Sequence, residues 1–255
     1  MKINTAYFSA TNTTRSIVKE IAGILSTNIK EFNLTNKPLD NEIHITSDEA
    51  LLVGMPVYGG RIPNIVVDSL KHLKGSHSPV ILVAVYGNRE FEDALVEMQD
   101  LMEANGFYVI AAGAFIAQHS IFPHTAQGRP DSADHIKISE FATRCKRLLE
   151  EGCSEPAANI ILPGNRPYKI PGDIPLKVKV SSKCTECGAC IQVCPVKAIS
   201  ADNPHITDHE KCIHCGRCIY VCSAHARHYG GLLYKVAGFA FGRKNKFRKE
   251  PQFFF

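Results

Sequence analysis

Two stretches of this sequence hold thiols at a repeated spacing. Cys184-Thr185-Glu186-Cys187-Gly188-Ala189-Cys190-Ile191-Gln192-Val193-Cys194 is followed by Pro195, and Cys212-Ile213-His214-Cys215-Gly216-Arg217-Cys218-Ile219-Tyr220-Val221-Cys222 by Ser223. Both read C-x2-C-x2-C-x3-C and repeat after 28 residues, so eight of the ten cysteines fall within 39 residues while the first 144 contain none. Thiolates are soft ligands, and such a density means metal binding or disulfides. Disulfides need an oxidising compartment. Met1 to Phe8 carries one positive charge and a short, polar-interrupted apolar stretch, a poor export signal, so a cytoplasmic location and metal binding are expected. A zinc site would use two C-x2-C pairs and leave about four thiols idle. Cys145 has no partner at ligand spacing and reads as a small buried apolar residue; Cys153 opens a linker.

A second constellation lies near the start. Ser9-Ala10-Thr11-Asn12-Thr13-Thr14 places four hydroxyls in six residues just before a helical pattern. Helix starts present unpaired N–H groups and a positive dipole end, so this loop can take a phosphate; the plainer alternative is an over-supplied helix cap. Neither G-x-G-x-x-G nor G-x-x-x-x-G-K-[ST] occurs, which argues against the usual dinucleotide and nucleotide loops.

The elements that must position these residues follow from periodicity. Strands are expected at Ile3 to Phe8, Ile29 to Leu34, Ala50 to Val57, Val80 to Tyr86 and Phe107 to Ala117. Helices are expected at Thr13 to Ser26, Asn64 to Leu73, Phe91 to Asn105 and Asp131 to Leu149, the last capped by Asp131 or Ser132. This alternation predicts a parallel sheet with helices on both faces and ligands at the carboxyl ends of the strands. There stand Pro56-Val57-Tyr58-Gly59-Gly60, Tyr86-Gly87-Asn88-Arg89 and Gln118-His119-Ser120; His119 alone reads as a surface or capping residue. The longest apolar run, Tyr108 to Ala117, is far short of the roughly 18 residues of a membrane span.

The cysteine runs resemble those of bacterial ferredoxins with two [4Fe–4S] clusters. That resemblance implies that Cys184, Cys187, Cys190 and Cys222 hold one cluster and that Cys212, Cys215, Cys218 and Cys194 hold the other. Tyr7-Phe8-Ser9-Ala10-Thr11-Asn12-Thr13-Thr14 resembles the phosphate loop of flavodoxins, with Asn12 where that family has glycine; Asn is the non-glycine residue best suited to positive φ. This second resemblance implies bound FMN, its phosphate at Ser9, Ala10, Thr11, Asn12, Thr13 and Thr14. Its ring would then lie between Pro56, Val57, Tyr58 and Gly59 on one side and Tyr86, Gly87 and Asn88 on the other. A Gly59-Gly60 pair beside the ring would let a carbonyl swing to accept a proton-bearing N5. Over nearly its whole length the chain is similar to a flavodoxin–ferredoxin fusion. The implied fold is α/β, a flavodoxin-like doubly wound five-stranded parallel sheet of order 2-1-3-4-5, plus a small α+β two-cluster domain.

The expected organisation is a flavodoxin-like domain over 1–152, a proline-rich linker over 153–179, a cluster domain over 180–230 and a basic, aromatic tail over 231–255. Residues 1–155 carry 14 Lys+Arg against 19 Asp+Glu, and residues 156–255 carry 15 against 6. Two oxidised clusters of about −2 each would offset roughly four of those surplus positive charges, which weakens a nucleic-acid reading. The tail reads as a strap laid on the protein's own apolar surface, or alternatively as a dock for an acidic partner or a membrane surface. The implied function is electron transfer between FMN and the clusters for a redox partner protein. The alternative is an FMN-dependent reductase of a small substrate fed by its own clusters.

Overall fold

The computed structural model describes residues 1–152, 160–172 and 174–255. Cys153 and Pro156 of the linker lie outside the described residues.

The chain runs β1 (Lys2–Tyr7), α1 (Thr13–Leu25), β2 (Ile29–Asn33), β3 (Ile43–Ile45), β4 (Glu49–Pro56), α2 (Asn64–Lys71), β5 (Leu73–Gly75), β6 (Ser78–Tyr86), α3 (Ala94–Ala104), β7 (Phe107–Ile116) and α4 (Ser132–Glu150). After the linker come β8 (Val178–Val180), α5 (Ala189–Gln192), α6 (Arg217–Tyr220), β9 (Arg227–Tyr229), α7 (Leu232–Lys244) and β10 (Gln252–Phe254).

The main sheet has the order β10-β7-β6-β4-β1-β2. Its five N-terminal strands are parallel, the doubly wound 2-1-3-4-5 arrangement in order of those strands. Alternate residues feed two cores, because a parallel sheet is covered on both faces. Leu51, Val53 and Met55 join Val66, Leu70 and Met98 under α2 and α3. Ala50 and Leu52 join Ile17, Ile21, Ile138 and Phe141 under α1 and α4. This is why the strands read as continuous apolar runs. Asp131 caps α4 in a reciprocal box with Asp134, and Cys145 is buried on that helix, its thiol pushed far up by burial.

Among the described residues the sheet has six strands, one more than the expected five. The extra strand is β10, antiparallel to β7 from Gln252↔Ala114 to Phe254↔Ala112. Three consecutive phenylalanines alternate across the sheet as strand residues must. Phe254 meets Phe91 at 6.5 Å between ring centroids on one face, while Phe253 and Phe255 lie 5.2 and 5.5 Å from Phe141 on the other. The tail is thus a strap here, and three residues were too short a period to announce a strand.

The cysteine-rich part is small. β8 pairs antiparallel with β9, so Val178 and Lys179 join a sheet although composition places them in the linker. Each cysteine run ends in one short helix, α5 or α6, entered through Gly188 or Gly216 at φ 73° and 75°. These left-handed positions suit glycine and let the backbone turn inside the thiol loop. Among the described residues no helix is long and apolar enough to cross a membrane.

Candidate functional site

The two cysteine runs interleave in space. Cys184, Cys187 and Cys190 line one small cavity together with Cys222 of the other run. Cys194 in turn faces Cys212, Cys215 and Cys218, each of which is held up by burial and, further, by the negative charge of Cys194. Burial pushes the Cys215 thiol up to about 12 and the Cys218 thiol to about 11. Packing four thiolates together in a dry site carries that electrostatic cost, and a bound cationic group offsets it. Two sets of four soft donors suit the chemistry of a cubane cluster. The fourth cysteine of each run also accepts a backbone hydrogen bond, Ala198 N to Cys194 Sγ at 3.2 Å and Ala226 N to Cys222 Sγ at 3.3 Å. Such N–H···S bonds tune cluster potentials.

Arg227 was not singled out by sequence. It is buried, lines the Cys184 cavity and lowers the thiols of Cys190, Cys212 and Cys218, so it sits between the two sets. Its guanidinium donates to Pro204 O at 2.9 Å and Thr207 Oγ1 at 2.8 Å, while Nε is buried without a partner among the described residues. The only hint was its place five residues after Cys222 in the basic half.

The strand-end loops converge on a second cleft. Ala10, Thr11, Thr13 and Thr14 line one end, Pro56, Val57 and Tyr58 one side, and Tyr86 and Gly87 the other. Gln118, His119 and Ser120 complete the wall. The first-turn N–H groups of α1, which starts at Thr13, have no intrahelical acceptors, and three threonine hydroxyls stand beside them. Tyr86 Oη is buried with no partner among the described residues, its phenol raised to about 12 by burial. An anion-binding end and a phenol without a partner among the described residues, set between aromatic walls, suit a phosphorylated ring cofactor in their chemistry, while the cleft encloses only about 60 Å³, so its walls must part to admit one.

Four residues expected at this cleft do other work. Ser9 Oγ accepts from Arg15 N at 3.0 Å and Ser9 N donates to Thr35 Oγ1 at 2.6 Å, so Ser9 shapes the loop from behind. Asn12 takes φ 64° and turns its amide to Tyr220 Oη at 3.2 Å. Gly59 faces Pro171 across a separate cleft. Asn88 clamps the tail: Nδ2 donates to Asn245 O and Phe247 O, and Oδ1 accepts from Lys249 N. Gly60 O accepts from Asp93 N at 2.9 Å, which confines any carbonyl swing to Gly59. His119 is a capping residue, and a partly buried one. Nδ1 accepts from Ile121 N and Phe122 N, and burial lowers its pKa to about 4, so the ring is neutral at physiological pH.

Gly87 is required by that ring. A Cβ there would lie 2.5 Å from His119 Cδ2. Gly87→Ala is expected to cost about 1–3 kcal/mol by forcing His119 into the cleft. Urea unfolding would register the loss, and an unchanged midpoint would show that the wall yields freely.

The two sites abut. A Cβ on Gly216 would lie 3.7 Å from Ser120 and 3.9 Å from Thr11. Cys215 packs into the same core as Tyr58 and Ala10. Arg217 donates to Asn36 Oδ1 at 2.6 Å and reaches Ser9 O at 3.4 Å. Tyr58 lines the strand-end cleft, and its phenol is pushed well up by burial and then by Cys215.

In class, the chain is a flavodoxin-like α/β domain joined to a small cysteine-rich dicluster domain, an arrangement that implies redox chemistry and electron transfer. Residues 176–227 match the family described as "4Fe-4S dicluster domain", whose eight cysteines support two clusters. No curated protein sequence matches the chain. Among solved structures it is similar to a flavodoxin of Streptococcus pneumonia TIGR4, with 14% identity over 57% of this chain and 99% of that one and a TM-score of 0.41. A Fusobacterium nucleatum flavodoxin bound to flavin mononucleotide gives 18% identity over 57% and 97%, with a TM-score of 0.40. An azoreductase from Bacillus anthracis str. Sterne gives 10% over 56% and 100%, with a TM-score of 0.40.

Proposed function

We propose that the protein binds FMN in the strand-end cleft and passes electrons between it and two [4Fe–4S] clusters, serving a partner oxidoreductase in the cytoplasm. The observation that carries this reading is the placement of the Cys215-Gly216-Arg217 loop beside the cleft: Cys215 shares a core with Ala10 and Tyr58, Arg217 reaches Ser9 O at 3.4 Å, and a Cβ on Gly216 would come within 3.9 Å of Thr11 and Ser120. Thr11, Thr13, Thr14 and the α1 start would hold the phosphate; Val57, Tyr58 and Tyr86 would wall the ring. FMN supplies a centre that exchanges one or two electrons, and the clusters exchange one each. The chain's own residues keep water out of the junction: Cys215 and Tyr86 are buried, and Tyr58 fills the space between the cleft and Cys215.

The test is anaerobic. Reconstituted protein is expected to contain about eight irons and about one FMN per chain, and reduction of either centre should spread to the other within the first turnover in stopped flow. Clusters and flavin that reduce independently would overturn the reading.

One observation favours the reductase alternative. A cleft of about 620 Å³ opens between Tyr58, Gly59, Lys177, His209 and Cys212, large enough for a small substrate beside the second thiol set. A compound that reoxidises the reduced protein catalytically, with saturation, would establish it.

A further inference from the structure

The sharpest unexplained feature of the surface is α7. Its inner face is docked firmly. Tyr234 stacks on Phe122 at 5.5 Å and donates through Oη to Ile121 O at 2.9 Å, and Phe241 lies 5.0 Å from Phe122 and 4.7 Å from His119. The outer face is also apolar. Leu232, Val236 and Phe239 recur at spacings of four and three, one stripe of a helix, and are 79%, 59% and 74% exposed. Phe247, just beyond the helix end, is 74% exposed. A helix that is apolar on both sides is one that something else covers.

Charge identifies the cover. Residues 211–249 contain no Asp or Glu. Of the cations there, Arg248 pairs with Asp131 and Glu250, Lys249 with Glu90 and Lys211 with Asp208. Lys235, Arg243, Lys244 and Lys246 are exposed and, among the described residues, pair with no carboxylate. Lys179 Nζ, also exposed, stands beside Gly231 at the opposite end of the helix. The stripe is therefore framed by cations at both ends. A second copy meeting this face by two-fold symmetry would bring like charges together. Headgroups of anionic lipid answer the cations, while the acyl boundary takes Leu232, Val236, Phe239 and Phe247.

We infer that α7 and the Arg243–Phe247 segment form an interfacial anchor that lays this protein on an anionic phospholipid surface. The helix lies in the plane of the interface, with its inner face still held by Phe122. The anchor is reversible, since one short stripe and a few cations fall far below the grip of a membrane span. It is independent of what the strand-end cleft binds.

The test uses the full chain with its clusters reconstituted, sedimented anaerobically with vesicles of phosphatidylcholine alone or mixed with phosphatidylglycerol. Binding to the mixed vesicles only, reversed by salt, is the expected result. Phe239→Ser should weaken it more than about tenfold. Arg243→Glu with Lys244→Glu should weaken it by roughly fivefold for each charge removed. Both sites are exposed, so cluster absorbance is expected to be unchanged; should Phe239→Ser lose it, Leu232→Ser probes the same stripe. No sedimentation with mixed vesicles at low salt, or equal binding to both kinds, overturns the proposal. So does a dimer in light scattering that Phe239→Ser dissolves, which would make a second copy the cover.

Discussion

Cys215→Ser is expected to lower iron content from about eight to about four per chain and to weaken FMN binding at least tenfold, whereas Cys187→Ser lowers iron equally and leaves FMN affinity within about twofold. The asymmetry follows from where each thiol sits. Cys187 is exposed, and its set of four lies against Pro204, Ala224 and Arg227, all within the cysteine-rich domain. Cys215 is buried in the core shared with Ala10 and Tyr58. Its neighbour Arg217 reaches the Ser9 carbonyl, and a Cβ on Gly216 would come within 3.9 Å of Thr11 and Ser120. Metal binding is coupled to folding, so an unfilled second site loosens the loop that backs the phosphate end of the cleft. Iron analysis with fluorescence titration of FMN checks both numbers. Equal loss of FMN affinity in the two variants would show that the clusters support the flavin domain only as a whole, and not through this loop.

The sequence carried the parallel strands because burial on both faces writes unbroken apolar runs, and the helices because α1 and α4 show clean spacings of three and four; the strand order was implied only by the resemblance of the Tyr7–Thr14 loop to flavodoxins. β3 and β5, at Ile43–Ile45 and Leu73–Gly75, escaped it. A three-residue strand is below any period that can be read. Loop residues were legible by type but not by direction. Thr11, Thr13 and Thr14 reach the cleft, yet Ser9 spends its side chain on the backbone, Asn12 on Tyr220 of the cysteine-rich domain and Asn88 on the C-terminal segment. A partner 157 residues away, as for Asn88 and Asn245, leaves no mark on local sequence. Arg227 was hidden for a related reason: only the folded interleaving of the two runs puts one arginine next to both. Its placement refines the charge argument, since a buried cation between two anionic groups stabilises both while surface lysines are screened.

Removing residues 251–255 is expected to destabilise the protein by about 4–5 kcal/mol, from three partly buried phenylalanines at roughly 1.5 kcal/mol each. That is a large fraction of a typical total of about 5–15 kcal/mol, and corresponds to a fall in Tm of roughly 10–15 °C. The loss has two parts. Phe253 and Phe255 cover Phe115 and Phe141, and Arg144 lies 3.7 Å from the centroid of Phe255. Without them the edge of β7, apolar along its length, is bare, so the truncated protein should also aggregate on heating. The upstream anchors remain: Arg248 still holds Asp131 at 2.6 Å, and Asn88 still holds the Asn245 and Phe247 carbonyls. α7 and the dicluster domain should therefore stay seated, and the second cluster should keep its potential at temperatures where the truncated chain is folded. Thermal unfolding under argon, paired with a cluster potential, separates the roles. An unchanged Tm would mean that β10 adds nothing to the sheet, and a shifted potential would mean that the strap also orients the two halves.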